Sequence, residues 1–172
     1  NLPVSQDTPT AIHMLPDVER KSVTLNNPEE PAIEESLREL IPTTNTLAEI
    51  TVLDKSGNEL SPALLFNLLE FETRATFRQS LTKVHFIATG HSQPALLMSY
   101  TDETAIQGGL LAWEPYLADN LSTIYQLSTS EEMLFTDKVI MGVDTRALYS
   151  GDELVLLYAI LDNNRAVIAP NK

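Results

Sequence analysis

The stretch from Lys83 to Tyr125, KVHFIATGHSQPALLMSYTDETAIQGGLLAWEPYLADNLSTIY, constrains this chain more than any other. Val84, Phe86 and Ala88 alternate with His85, Ile87 and Thr89, the period of a strand buried on at least one side. Gly90-His91-Ser92-Gln93 is turn chemistry. Pro94 then opens a return strand, Ala95 to Tyr100, whose nearly continuous apolar run predicts an interior position. Thr101 or Asp102 is placed to cap a long helix in which Ile106, Leu110, Trp113, Leu117, Leu121 and Ile124 recur every three or four residues. A hairpin feeding such a helix can form a small core, and the neighbouring segments read as additions to it. Gly108 and Gly109 each weaken the helix by roughly 1 kcal/mol relative to Ala. The adjacent pair therefore predicts close approach of another backbone, that of the sheet. Pro115 removes one helical hydrogen bond and predicts a kink or restart after Glu114.

Six of the ten prolines fall in the first 42 residues (Pro3, Pro9, Pro16, Pro28, Pro31 and Pro42), with polar residues between them. Each fixes its own φ and biases its predecessor toward extended geometry, so residues 1 to 30 read as a linker or stalk. The sequence AIEESLRELI places Ile33, Leu37, Leu40 and Ile41 on one helical face, with Pro42 as its stop. Glu29, Glu30, Glu34 and Glu35 complement the positive end of that helix, a simpler account than a cation site. Leu47 to Leu53 predicts a strand with one face buried, followed by a turn at Asp54 to Asn58. Ser61-Pro62 is a strong helix start, with Leu64, Leu65, Leu68, Leu69 and Phe71 as the expected buried face. A second short helix is expected over Thr73 to Leu81. Its Arg74 and Arg78 lie four apart, able to bind an anion or, more simply, to pair with Glu70 or Glu72. The last third reads as strands: one within Leu134 to Val143, a short one over Arg146 to Tyr149, a central one over Leu154 to Leu161, and a closing one over Arg165 to Ala169. Gly151-Asp152 and Asp162-Asn163-Asn164 supply turns.

Composition excludes several classes of function. A net charge of −13 repels phosphate backbones and anionic headgroups, so nucleic acid is not an expected partner. The absence of cysteine removes disulfides, thiolate metal sites and cysteine nucleophiles. No run of about 18 apolar residues is present to span a bilayer. The chain starts at Asn1 rather than Met, which reads as a processed or excised chain with room for an anchor upstream. His13, His85 and His91 each stand alone, none at metal-ligand spacing, so neither a metal nor any other cofactor is expected. The nucleophile-elbow, P-loop and dinucleotide fingerprints are absent. Carboxylates near element ends (Asp102, Glu103, Glu114, Asp137, Asp144) could serve acid–base chemistry, but among 24 acidic residues proximity arises by chance. Glu114, beside Trp113 on an apolar helix, is the one that stands out; its plain reading is a solvent-facing residue at a kink. Asn120-Leu121-Ser122 matches a glycosylation triplet.

PALLMSYTD, AIQGGLLAWEPYLADNL, FTDKVIMGVDTRALY and ELVLLYAILDNNRAVIA, together with LLFNLLEFETRATFRQSL, resemble a family of uncharacterised single-pass membrane-anchored proteins from bacteria of reduced genome. The resemblance covers roughly residues 50 to 169. It implies an upstream anchor and a proline-rich stalk, with the domain on the extracytoplasmic face of the cell envelope, and it carries no catalytic residues. Pro115 after the Trp-Glu pair departs from the family pattern.

The expectation is an α+β fold, a mainly antiparallel sheet of five to six strands with helices on one face, in a single domain over residues 31–172. The expected function is a non-enzymatic interaction or assembly domain with a protein partner, meeting the membrane only through a segment outside this chain. A cytoplasmic location is the alternative placement. A small-molecule sensor, with a pocket between the Trp113 helix and the sheet, is the alternative function. Trp113, Glu114, His91, Arg74 and Arg78 are the candidate ligand or interaction residues; the glycines and Trp113 read as packing.

Overall fold

A computed structural model describes residues 18–25, 46–90, 93–125, 127, 133–161 and 164–171. The leader up to residue 17, the expected helix over 32–41 and His91 lie outside the described residues. Eight strands form one sheet: β1 (Glu19–Thr24), β2 (Leu47–Leu53), β3 (Leu81–Thr89), β4 (Ala95–Tyr100), β5 (Met133–Ile140), β6 (Val143–Ser150), β7 (Glu153–Leu161) and β8 (Arg165–Pro170). Three helices accompany them: α1 (Pro62–Leu68), α2 (Ala75–Ser80) and α3 (Glu103–Tyr125). The spatial order is β1-β2-β3-β4-β8-β7-β6-β5, antiparallel throughout except for the parallel pair β1/β2.

The α+β class and the mainly antiparallel sheet follow the sequence expectation, but the strand count exceeds five to six. One addition is β1, which lies in the stretch read as linker. Its charged start, ERK, hides the pattern, yet Val23 and the following Leu25 are buried in the core. β6 differs in length: expected as a short strand over Arg146 to Tyr149, it is a full eight-residue strand beginning at Val143. β2 also departs from expectation: Glu49 and Thr51 are buried along with Ala48, Ile50 and Val52, so both faces of this strand are covered.

The connection from β4 to β5 sets the architecture. β5 lies four strand spacings from β4, about 19 Å, and the 23-residue α3, about 34 Å long, carries the chain across. The β5–β6, β6–β7 and β7–β8 hairpins then bring it back beside β4. Asp102 caps α3 by accepting a hydrogen bond from the Ala105 N–H at 3.0 Å. Every third or fourth residue of α3, from Ile106 to Ile124, is buried in one core with alternate sheet positions including Phe86, Leu96, Met98, Leu156 and Ile168. Contrary to the expected restart, α3 runs through Pro115 as one element.

Ser61 accepts from Leu64 N–H with Pro62 in the first turn of α1, as the sequence predicts. The buried face differs: Phe66 is fully buried, whereas Leu64 is 43% exposed. The helix ends in a Schellman turn, with Phe71 N–H bonded to Phe66 C=O at 2.9 Å and Glu70 N–H to Asn67 C=O at 3.2 Å. Glu70 therefore adopts the left-handed conformation usually given to glycine, φ 54°. The Phe66 and Phe71 rings meet edge-on at 5.2 Å, which completes the motif's hydrophobic contact.

The two helix glycines differ. A methyl group on Gly109 would penetrate Phe77 of α2, with its Cβ and Cγ each 2.6 Å away, so the close neighbour is an aromatic ring and not the sheet backbone. Gly108 faces open space. Gly108→Ala is thus expected to raise stability by about 0.5–1 kcal/mol through helix propensity. Gly109→Ala should lower it by about 1–3 kcal/mol through overpacking. Parallel thermal melts of the two variants check this, and shifts of the same sign would refute it.

Candidate functional site

The end of the sheet formed by β5, β6 and β7 gathers most of the exposed chemistry. Asp137, Arg146 and Tyr158 are direct cross-strand partners on these three strands, so their side chains stand in one row. Glu114 enters the row from α3. Its two carboxylate oxygens accept from Arg146 Nε and Nη2, each at 2.8 Å, and Oε1 also accepts from the Tyr158 hydroxyl at 2.7 Å. The third guanidinium nitrogen, Nη1, donates to Asp137 at 3.0 Å. The Glu114 hydrogen bond, ahead of the cost of burial, holds the Arg146 pKa above its ordinary value. Burial first, then the Glu114 carboxylate, raises that of Tyr158. With Glu114 only 15% exposed, the two-pronged contact is the strong member of the cluster; Asp137, 87% exposed, adds at most about 1 kcal/mol. Glu114 is therefore no solvent-facing residue. It clamps α3 to β6 and β7, and the guanidinium stands between it and Asp137.

Beside the clamp runs an open groove of about 790 Å³ between the first half of α3 and the sheet, lined by Glu103, Gln107, Leu111, Asp137, Asp144 and Ile160. Its outer wall is β5, the last strand of the sheet. Among the described residues β5 pairs only with β6. Alongside the charges Asp137 and Lys138 it exposes large apolar side chains: Leu134 is 68% and Val139 70% exposed, and the hairpin tip presents Met141 at 98%. Met141 (φ 53°) and Gly142 (φ 80°) form a type I′ turn, so a side chain that costs about 1 kcal/mol there occupies the left-handed position. The opposite edge, β1, opens with three consecutive charges, Glu19, Arg20 and Lys21, a common guard against strand addition.

The other sequence candidates separate. Trp113 is 1% exposed and surrounded by Phe66, Phe71 and Phe77 at ring distances of 5.7, 5.2 and 5.9 Å. The ring is thus enclosed by α1, the turn after it and α2, and it does not line the groove between the helix and the sheet. Its Nε1–H donates to Asn120 Oδ1 at 2.7 Å, and the same oxygen accepts from Glu72 N–H at 2.8 Å. Arg74, Arg78 and one edge of Trp113 line a shallow surface depression, so the structure brings these three together. Arg78 donates to Asn67 Oδ1 at 2.7 Å in place of the expected pairing with Glu70 or Glu72. Arg74 occupies the N-cap position of α2.

One arrangement escaped the sequence reading. His85, wholly buried, bridges Glu49 through Nδ1 at 2.5 Å and Glu59 through Nε2 at 2.9 Å. Lys83 Nζ lies 3.5 Å from the other Glu59 oxygen. Glu59 reaches the histidine because Asp54 accepts from Ser56 N–H and Asn58 N–H, which folds the loop back and pairs Glu59 with Leu53. Burial alone would depress the imidazolium, but the two carboxylates outweigh it and raise the His85 pKa. For Glu59 burial is likewise outweighed, by His85 and Lys83, and its pKa is lowered. The available signal was Glu49 and His85 both alternating with core residues on their strands; only the pairing register shows that they share a face. No cluster of three metal-ligating residues suited to an ion occurs among the described residues, and no helix there is long and apolar enough to cross a membrane.

Comparison with protein-family models, with curated proteins and with solved structures finds no match.

Proposed function

We propose that this chain is a protein-interaction module that accepts an extended segment as a ninth strand along β5. The observation that carries this reading is the long, regular edge of β5 beside a groove, on which Leu134 and Val139 stand exposed next to only two charges, Asp137 and Lys138. Neither the buried histidine network nor the Glu114 clamp leaves a group directed at a substrate. The reading is accordingly non-enzymatic, and the extracytoplasmic, tethered setting implied by the family resemblance accompanies it. The groove itself favours one second reading, a small-molecule site.

Backbone geometry supplies a sharp test. Residues flanking a two-residue hairpin turn, here Ile140 and Val143, exchange both ladder hydrogen bonds. The outward N–H groups therefore belong to Met133, Phe135, Asp137 and Val139. Val139→Pro removes one outward donor without breaking the β5–β6 ladder. Panning a random-peptide display library on the wild-type domain should enrich extended apolar sequences. Their binding should disappear in Val139→Pro while its far-UV circular dichroism and melting temperature stay near wild type. Peptides that bind both proteins equally would refute strand addition.

A further inference from the structure

We infer that the strand added to β5 is β5 of a second copy, giving a two-fold symmetric dimer with one continuous sheet. This rests on the strand-addition reading above and names its partner. An axis perpendicular to the sheet keeps the helices of both copies on one side, so opposed residues must lie on the same face and their numbers must sum to an even value. The register centred on Thr136 fits the strand best. It overlaps Met133 to Val139 in full, opposes Met133 to Val139 and Phe135 to Asp137, and uses the outward N–H and C=O groups of those four residues in about eight hydrogen bonds. Centring on Asp137 or Lys138 would set like charges face to face.

Thr136 provides an independent observation. Its hydroxyl is buried without a hydrogen-bond partner. On the two-fold axis it meets its own counterpart, and a change of χ1 lets the two hydroxyls pair, a favoured cross-strand combination. Lys138, the one cation on this edge, falls opposite Leu134, where its aliphatic stem covers the exposed side chain while the ammonium stays in water. A single strand pair buries less than the roughly 1,200 Å² of a standard stable interface, so association is weak and concentration-dependent. Each copy carries −13, so salt that screens this repulsion strengthens the dimer.

The absence of cysteine allows a register-specific trap. Thr136→Cys puts two thiols at a non-hydrogen-bonded pair, Cα atoms about 4.5 Å apart, within disulfide reach. In Leu134→Cys or Lys138→Cys the same thiols are offset by about 13 Å along the strands. On mild oxidation, Thr136→Cys should form a covalent dimer about tenfold faster or more than either control. Sedimentation of the wild type should show a dimer that grows with concentration and salt. Equal cross-linking in all three variants would overturn the register. A wild type that stays monomeric, while Val139→Pro still abolishes peptide capture, would overturn self-pairing and leave strand addition to a foreign chain. Loss of both behaviours would overturn the two readings together.

Discussion

Trp113→Ala should lower the unfolding free energy by about 3–5 kcal/mol, the largest effect of any single truncation on the helix side of the sheet. The ring is 1% exposed and is the common contact of three phenylalanines, from α1, from the turn after it and from α2. Removing it opens a cavity that rigid aromatic neighbours cannot close. It also takes from Asn120 the hydrogen bond that complements the one from Glu72 N–H. At roughly 2–4 °C per kcal/mol for a chain of this size, the melting temperature should fall by roughly 6–20 °C. Because the variant loses the chain's single tryptophan, unfolding is best followed by circular dichroism in urea. A loss below about 1 kcal/mol would mean that the indole does not fill the core.

His85→Ala should cost a similar amount, about 3–5 kcal/mol, for a different reason. It removes the imidazole that pairs with Glu49, a carboxylate that is fully buried. The pH dependence distinguishes this mechanism from lost packing. His85 titrates above its ordinary 6.5, so its contribution is complete below that pH and is lost as pH rises through the folded value. Glu59 titrates below its ordinary 4.5, so its contribution is present above that pH and is lost as pH falls through the folded value. Both are present between about pH 4.5 and 6.5, and wild-type stability should peak there and decline on either side. His85→Ala should flatten the alkaline decline. A wild-type profile that rises steadily from pH 6 to 9 would contradict a charged His85.

Much of the local structure was legible from residue chemistry. Ser61-Pro62 marks a helix start and Asp102 a cap because capping satisfies backbone groups within one turn, a purely local bond. Trp113 was readable as a core residue from helical spacing, and the Gly151-Asp152 turn from its backbone freedom. β1 was not legible, since each residue's parallel partner on β2 lies 29 residues further along the chain, and three charges mask its apolar end. Glu114 was singled out, but its partners were invisible: Arg146 lies 32 residues away and Tyr158 44. Likewise the Gly109 contact with Phe77 follows from how α2 seats on α3, which no spacing within α3 reveals.

The amino-acid sequence by itself determined which segments are apolar on one face, where the chain turns, that the fold is of the α+β class, and that the chain is acidic and without thiols. These properties reside in periods of two and 3.6 residues and in single-residue backbone preferences. Only the tertiary structure decided strand order, and with it that β5 is an edge and that Glu49, His85 and Glu59 meet. Register joins residues tens of positions apart, and a slip by one would turn every side chain to the other face. The candidate surface exists because α3 spans the sheet and delivers β5 to its rim.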